Sequence, residues 1–301
     1  MKLRIMAVLA VAMAGVTATA QPLDRSATMN MFDAWKAPVP PRHLIGNLYY
    51  VGAIGVSSYL ITTPEGHVIL DSGFEETVPI IARGVEELGF KMGDVKLILS
   101  SHAHIDHTGG HAALQRLTGA KVVASAADAR VLESGGAEDF IPMPKDLVAY
   151  EPVNVDAVVQ DGEAVDLGGV RLTAHVTPGH TRGATTWTMD VEDGGRSYRV
   201  VFFSSASINP GTRLTGRDAA YPGIADDLER TFGRLKAMRC DIFLAPHGGQ
   251  FAMAEKFARL EKGEPAAQVL VDPEGWRAAV EGQERAFRAA LAAEREESGT
   301  K

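Results

Sequence analysis

Apolar and polar positions sort most of the chain into short strands and a few one-faced helices. Residues 43–51 predict a first strand. Residues 57–62 and 67–70 flank the turn signal Pro64-Glu65-Gly66 as a strand pair. Apolar residues then recur at Val78, Ile81, Val85 and Leu88, the spacing of one helix face over 75–88. Residues 95–99 form a short unbroken apolar run, as in a strand buried on both faces. The second half repeats the style. Residues 164–167 and 170–176 flank Gly168-Gly169, a hairpin signal, and 185–191 and 198–203 flank Asp193-Gly194-Gly195. A helix over 224–238 is carried by Leu228, Phe232 and Leu235, and 241–245 reads as a last short strand. Asp272-Pro273 opens a tail helix with Trp276, Val280, Phe287 and Leu291 on one face. The stretch before residue 43 reads only as a polar, proline-rich approach. Two halves, each with strands first and helices after, predict an α/β (α+β) architecture of two packed sheets with helices outside. The order is too irregular for a doubly wound sheet.

The amino terminus changes the picture. Lys2 and Arg4 precede an apolar run over 5–16, followed by Ala18-Thr19-Ala20. This is the order of a secretory signal peptide, with cleavage expected after Ala20 and delivery to the periplasm. The run is too short for a bilayer, which needs about 20 apolar residues. No later stretch is a membrane candidate, so the mature chain, 21–301, is expected to be a single soluble domain and a monomer. With 46% hydrophobic and 23% charged residues, it can bury a full core. A net charge of −8 gives no general attraction to phosphates, which argues against nucleic acid as a partner. Cys240 is the only cysteine, so no internal disulfide forms; ahead of Ile242-Phe243-Leu244 it reads as a buried core residue.

The chemistry is concentrated in Ser101-His102-Ala103-His104-Ile105-Asp106-His107-Thr108-Gly109-Gly110. Four of the nine histidines fall between His102 and His111, too many for a chance surface cluster. Neutral imidazole suits zinc, and a carboxylate adds a harder oxygen ligand. In extended or looped backbone His102 and His104 point the same way and can share one ion. Asp106 and His107 lie beyond the turn, within reach of another. His180, in Thr177-Pro178-Gly179-His180, and His247, in Ala245-Pro246-His247, each follow a predicted strand next to Pro or Gly. Alone, either reads as a loop histidine; with the cluster, they complete two three-ligand sites. His43, His67, His111 and His175 are assigned to structure or surface.

His-x-His-x-Asp-His, a later Pro-Gly-His and a final Pro-His together resemble the metallo-β-lactamase superfamily. The resemblance implies an αββα sandwich holding two zinc ions. It implies His102, His104 and His180 on the first, and Asp106, His107 and His247 on the second. Most hydrolases of the superfamily carry a bridging aspartate after the strand 201–203, whereas this chain reads Ser204-Ser205-Ala206-Ser207. That pattern resembles β-lactamases of class B, subclass B3. It implies hydrolysis of a β-lactam amide by a water activated between the zinc ions. Asp106 would orient that water, and Ser205 and Ser207, on the side of the second zinc, would contact the substrate carboxylate. Asp71, in Leu70-Asp71-Ser72-Gly73, is expected to hydrogen-bond the metal loop rather than bind metal. The competing readings are an exported hydrolase of the same fold acting on a lactone or thioester, and a periplasmic zinc-binding protein.

Overall fold

The computed structural model describes residues 24–299, so the export segment read at 1–20 lies outside the described residues. Seven strands form the first sheet in chain order: β1 (Arg42–Ile45), β2 (Leu48–Tyr50), β3 (Tyr59–Thr63), β4 (Gly66–Leu70), β5 (Val95–Leu99), β6 (Lys121–Ser125) and β7 (Ala157–Val159). The first four pair antiparallel, and β4 to β7 pair parallel. The second sheet holds β8 (Ala164–Leu167), β9 (Val170–Val176), β10 (Thr185–Asp193), β11 (Arg196–Phe202) and β12 (Ile242–Leu244), in the order β12-β11-β10-β9-β8. Only its β11–β12 pair is parallel. Both central residues of the Gly168-Gly169 turn have positive φ (50° and 87°), as the twist-matched two-residue hairpin turn requires.

The helices are α1 (Arg25–Trp35), α2 (Val78–Glu87), α3 (Ile105–Thr108), α4 (His111–Thr118), α5 (Ala126–Glu133), α6 (Lys145–Val148), α7 (Ile224–Ala237), α8 (Met253–Glu261), α9 (Ala266–Leu270) and α10 (Pro273–Gly299). Alternation along the strands sorts side chains into two cores. In β3 and β4, Tyr59, Ile61, Val68 and Leu70 join the core shared with the second sheet, while Leu60 and Ile69 join the one shared with α2 and α4. Each such aliphatic side chain contributes roughly 1.5–3 kcal/mol by leaving water. Between the sheets lies Trp187, fully buried, whose indole N–H donates to Ser100 O at 2.9 Å. On the outer face of the second sheet α7 and α10 meet through Phe232 and Phe287, stacked at 5.6 Å. The layers therefore run helix, sheet, sheet, helix.

Several expectations need correction. The single strand over 43–51 is a hairpin, β1 and β2, because Gly46 turns the chain with φ 55°. The helix expected from residue 75 starts as a 3-10 turn, Glu75–Thr77, before α2. Pro79 at its start lacks an N–H, which suits the first helical turn and not an interior one. The approach segment contains α1, capped by Asp24, whose side chain accepts from Ala27 N. The helix expected after Gly109-Gly110 is α4, whereas β6, α5, α6 and β7 are unpredicted; α5, rich in alanine, gives only a weak apolar period.

Candidate metal centre

Strand direction brings the candidate ligands together. β9 and β11 both run antiparallel to β10, and β12 runs parallel to β11. Their carboxyl ends therefore share one sheet edge, which sets His180, Ser205, Ser207 and His247 side by side. Bonds across the sheets lock that edge to the end of β5 and to β3. Thr185 N donates to Ser101 O (2.7 Å), Ser204 Oγ to the same carbonyl (2.8 Å), and Tyr59 Oη to Ala245 O (2.7 Å). His102 and His104 lie in the loop after β5, and Asp106 and His107 in the single-turn α3.

Two groups of three donors result: His102, His104 and His180, and Asp106, His107 and His247, with donor atoms within 4.8 Å of one another in each. In the first, ring centroids stand 4.6–4.8 Å apart. In the second, His107 Nε2 lies 3.1 Å from Asp106 Oδ2 and 3.2 Å from His247 Nε2, and the His247–Asp106 separation is 3.5 Å. Three donors held at about 2.0–2.2 Å around one tetrahedral ion stand roughly 3.3–3.6 Å apart, so the set has the size of an ion's inner shell. His102 and His107 ring centroids, 4.3 Å apart, put the two groups in contact.

Partners outside the centre leave one nitrogen each of His102, His180 and His247 for a metal. His247 Nδ1 donates to Gly55 O (2.9 Å), and His180 Nδ1 sits 2.8 Å from Ser207 O. His104 Nε2 lies 3.2 Å from Asp139 Oδ2. His102 Nδ1 is 3.1 Å from Ser101 Oγ, while its buried Nε2 has no hydrogen-bond partner. An orphaned, buried nitrogen facing two other imidazoles fits a cation site and is costly otherwise. Burial, reinforced by the neighbouring histidines, holds His102 well below the usual imidazole range and His180 at about 3. Both rings are therefore in the neutral, metal-binding form at pH 7. In the second group burial opposes charge, yet the Asp106 carboxylate keeps His107 raised, and His107 in turn holds Asp106 well below the carboxylate range.

Asp71 does what its sequence position suggested. Its two oxygens accept from Ser101 N and Ser101 Oγ, both at 2.6 Å, from a left-handed backbone (φ 61°) rare outside glycine. His111 is structural: fully buried, it lies between Ser72 Oγ (2.7 Å) and Ser100 Oγ (2.8 Å). Ser205 and Ser207 line the cleft above the centre with hydroxyls 3.0 Å apart. Ser207 Oγ lies 3.2 Å from His180 Nδ1, so Ser207 also borders the first group. The reason is that the chain leaving β11 runs beside the loop between β9 and β10.

Above this floor lies an open cleft of about 650 Å³, solvent at its mouth included. Its wall is apolar: Met31, Phe32 and Trp35 of α1, Ile105, and Ile141, Met143 and Val148. Trp35 packs on the His247 ring at 4.8 Å. Sequence reading missed this wall, together with two buried acids behind the floor, Asp128 and Asp139. Asp128 had one available signal, a lone acid in the first turn of a helix that follows an apolar strand.

The family model described as the metallo-beta-lactamase superfamily matches residues 51–247. Among solved structures, the native FEZ-1 metallo-β-lactamase of Legionella gormanii is 42% identical, with a TM-score of 0.83, over 86% of this chain and 98% of that one. BJP-1, a subclass B3 metallo-β-lactamase of Bradyrhizobium japonicum, is 38% identical with a TM-score of 0.80, over 86% and 96%. A curated relative from an Anaeromyxobacter strain, 28% identical over 79% of this chain and 78% of its own length, is named a UPF0173 metal-dependent hydrolase. The chain belongs to the metallo-β-lactamase superfamily, with a metal-dependent hydrolase among its relatives and subclass B3 enzymes among its structural neighbours.

Proposed function

We propose that this chain is an exported zinc β-lactamase, hydrolysing the amide of a β-lactam ring, with His102, His104 and His180 holding one zinc and Asp106, His107 and His247 a second. The observation that carries the reading is the stretch after β11. It brings no carboxylate to the floor and instead sets the paired Ser205 and Ser207 hydroxyls on the cleft beside His180. The likeness to subclass B3 structures over nearly their full length supports it.

Zinc at these triads supplies an acidified water, its pKa lowered from about 15.7 toward 7, and a Lewis acid for a carbonyl oxygen. Asp106, held ionised beside His107 and His247, orients the attacking water. The Ser205 and Ser207 hydroxyls donate to a substrate carboxylate and fix its position. The apolar wall covers the rest of a small bicyclic amide and keeps bulk water from the floor.

The test is hydrolysis of a chromogenic cephalosporin by the purified mature protein, with zinc and with a chelator. Turnover lost to the chelator and restored by zinc is expected. A protein carrying two zinc ions that leaves the cephalosporin intact contradicts the reading and directs assays to lactones and thioesters. Export rests on Lys2, Arg4, the apolar run over 5–16 and Ala18-Thr19-Ala20. A periplasmic product beginning at Gln21 is the expected result of amino-terminal sequencing, and an intact Met1 contradicts it.

A further inference from the structure

The first triad has a construction problem. His102 and His104 hang from the end of the first sheet, and His180 from a loop of the second. No strand ladder joins the two loops, and the bonds from Thr185 and Ser204 reach only Ser101, so the placement of His104 against His180 must be set by something else.

We propose that Asp128 sets it, acting as a positioning residue that fixes His102, His104 and His180 relative to one another and so determines the zinc affinity of that triad. Asp128 lies in the first turn of α5 and is 2% exposed. Its Oδ2 accepts from Ala103 N, the residue between His102 and His104, at 3.0 Å. The same oxygen accepts from the hydroxyl of Thr181, next to His180, at 3.0 Å. Its Oδ1 accepts from Gly183 N at 2.9 Å. The helix cap adds a fourth tie, Ser125 Oγ donating to Gly183 O at 2.7 Å.

The chemistry calls for a carboxylate. Three donors converge on two oxygens, and only an ionised acid offers acceptors on both sides; an amide presents N–H groups to one set of donors. Charge-assisted bonds of this kind are about twice as strong as neutral ones, and burial shields them from competing water. None of these bonds reaches a triad nitrogen, so Asp128 acts through the loops. None goes to α3 or to the loop after β12, which carry the second triad. The effect should therefore be confined to the first.

The inference rests on the reading that the triads hold zinc. The experiment is a zinc titration of the full chain against a chromophoric chelator in two backgrounds. His247→Ala leaves the first triad complete, and His180→Ala leaves the second. Asp128→Asn is expected to weaken zinc binding about 10–100-fold in the first background and to leave the second unchanged. Thr181→Val, which removes one donor, should shift the first background in the same direction, and Thr181→Ser should restore it. This pair decides the matter if Asp128→Asn does not fold. Equal losses in both backgrounds, or no loss in the first, overturn the proposal. Failure of the parent chain to bind zinc overturns the metal reading and this proposal with it, whereas binding that the variants leave alone overturns the proposal only.

Discussion

The floor and the wall of the cleft are built in opposite ways. The floor consists of loops at strand ends, tied across two sheets by Trp187, Ser204, Thr185 and Tyr59 and backed by the main core. Its polar atoms are buried and aimed at one another. The wall is apolar and rests on two small satellite clusters, one around Phe74 with Phe32 and Trp35, the other around Ile141 and Val148, with Ile105 in both. The helix α1 is joined to α6 by the exposed Arg25–Asp146 ion pair, a weak kind of tie in water. The difference separates two tasks. Chemistry is placed where the structure can hold it rigidly, and substrate fit is placed where it can yield at little cost to the fold.

That comparison is sharpened first by the floor. Asp106→Asn and His180→Ala should each lower kcat/KM for the cephalosporin more than about 100-fold, beyond the usual 10–100-fold cost of losing an outer partner of a metal ligand. Each should also remove one bound zinc while the fold persists by circular dichroism. Full activity in either variant breaks the assignment of the floor. Next, Trp187→Ala should cost about 3–5 kcal/mol of stability, read from denaturant unfolding, because it opens the seam between the sheets and orphans Ser100 O. An unchanged midpoint would show that the sheets do not depend on this seam.

On the wall, Trp35→Ala should raise KM about tenfold with kcat within about twofold, as expected for lost apolar contact that acts equally on ground and transition state. A fall in kcat as large as that of Asp106→Asn would erase the distinction between wall and floor. Smaller again is Gln283→Leu. The Gln283 Oε1 of α10 accepts from Ala206 N at 2.8 Å, between the two serines, and losing that bond is worth about 1 kcal/mol. KM for a carboxylate substrate should rise about fivefold with zinc content unchanged. The smallest expected signal is at Cys240, where burial pushes the thiol up to about 12. It should resist a thiol reagent at pH 8 in the native protein and react on unfolding; rapid native labelling contradicts its place in the core.

The same contrast explains what the sequence revealed. Four of the six triad residues lie within six positions of one another, and the other two follow short apolar runs, so strand-end placement was readable without tertiary knowledge. The hairpins at Gly168-Gly169 and Gly194-Gly195 were legible because their turn chemistry is local. The wall was not. Met31, Phe32 and Trp35 lie close together on α1 and face a partner far along the chain, while 137–148 looks like a loop because Pro142 and Pro144 interrupt it. Asp128 and Asp139 were missed for a related reason: a buried acid is recognisable only once its donors from other segments are in place. The contact of Ser207 with His180 has the same origin, since it depends on which loop lies beside the end of β11.

The central claim is that the floor is a two-metal centre whose ligands are the two triads. The most direct measurement is anomalous diffraction at the zinc absorption edge from crystals of the mature protein. The account predicts two peaks about 3.5–4 Å apart, one among His102, His104 and His180 and one among Asp106, His107 and His247. A zinc peak outside these triads, or zinc-soaked crystals with both triads empty, would contradict it.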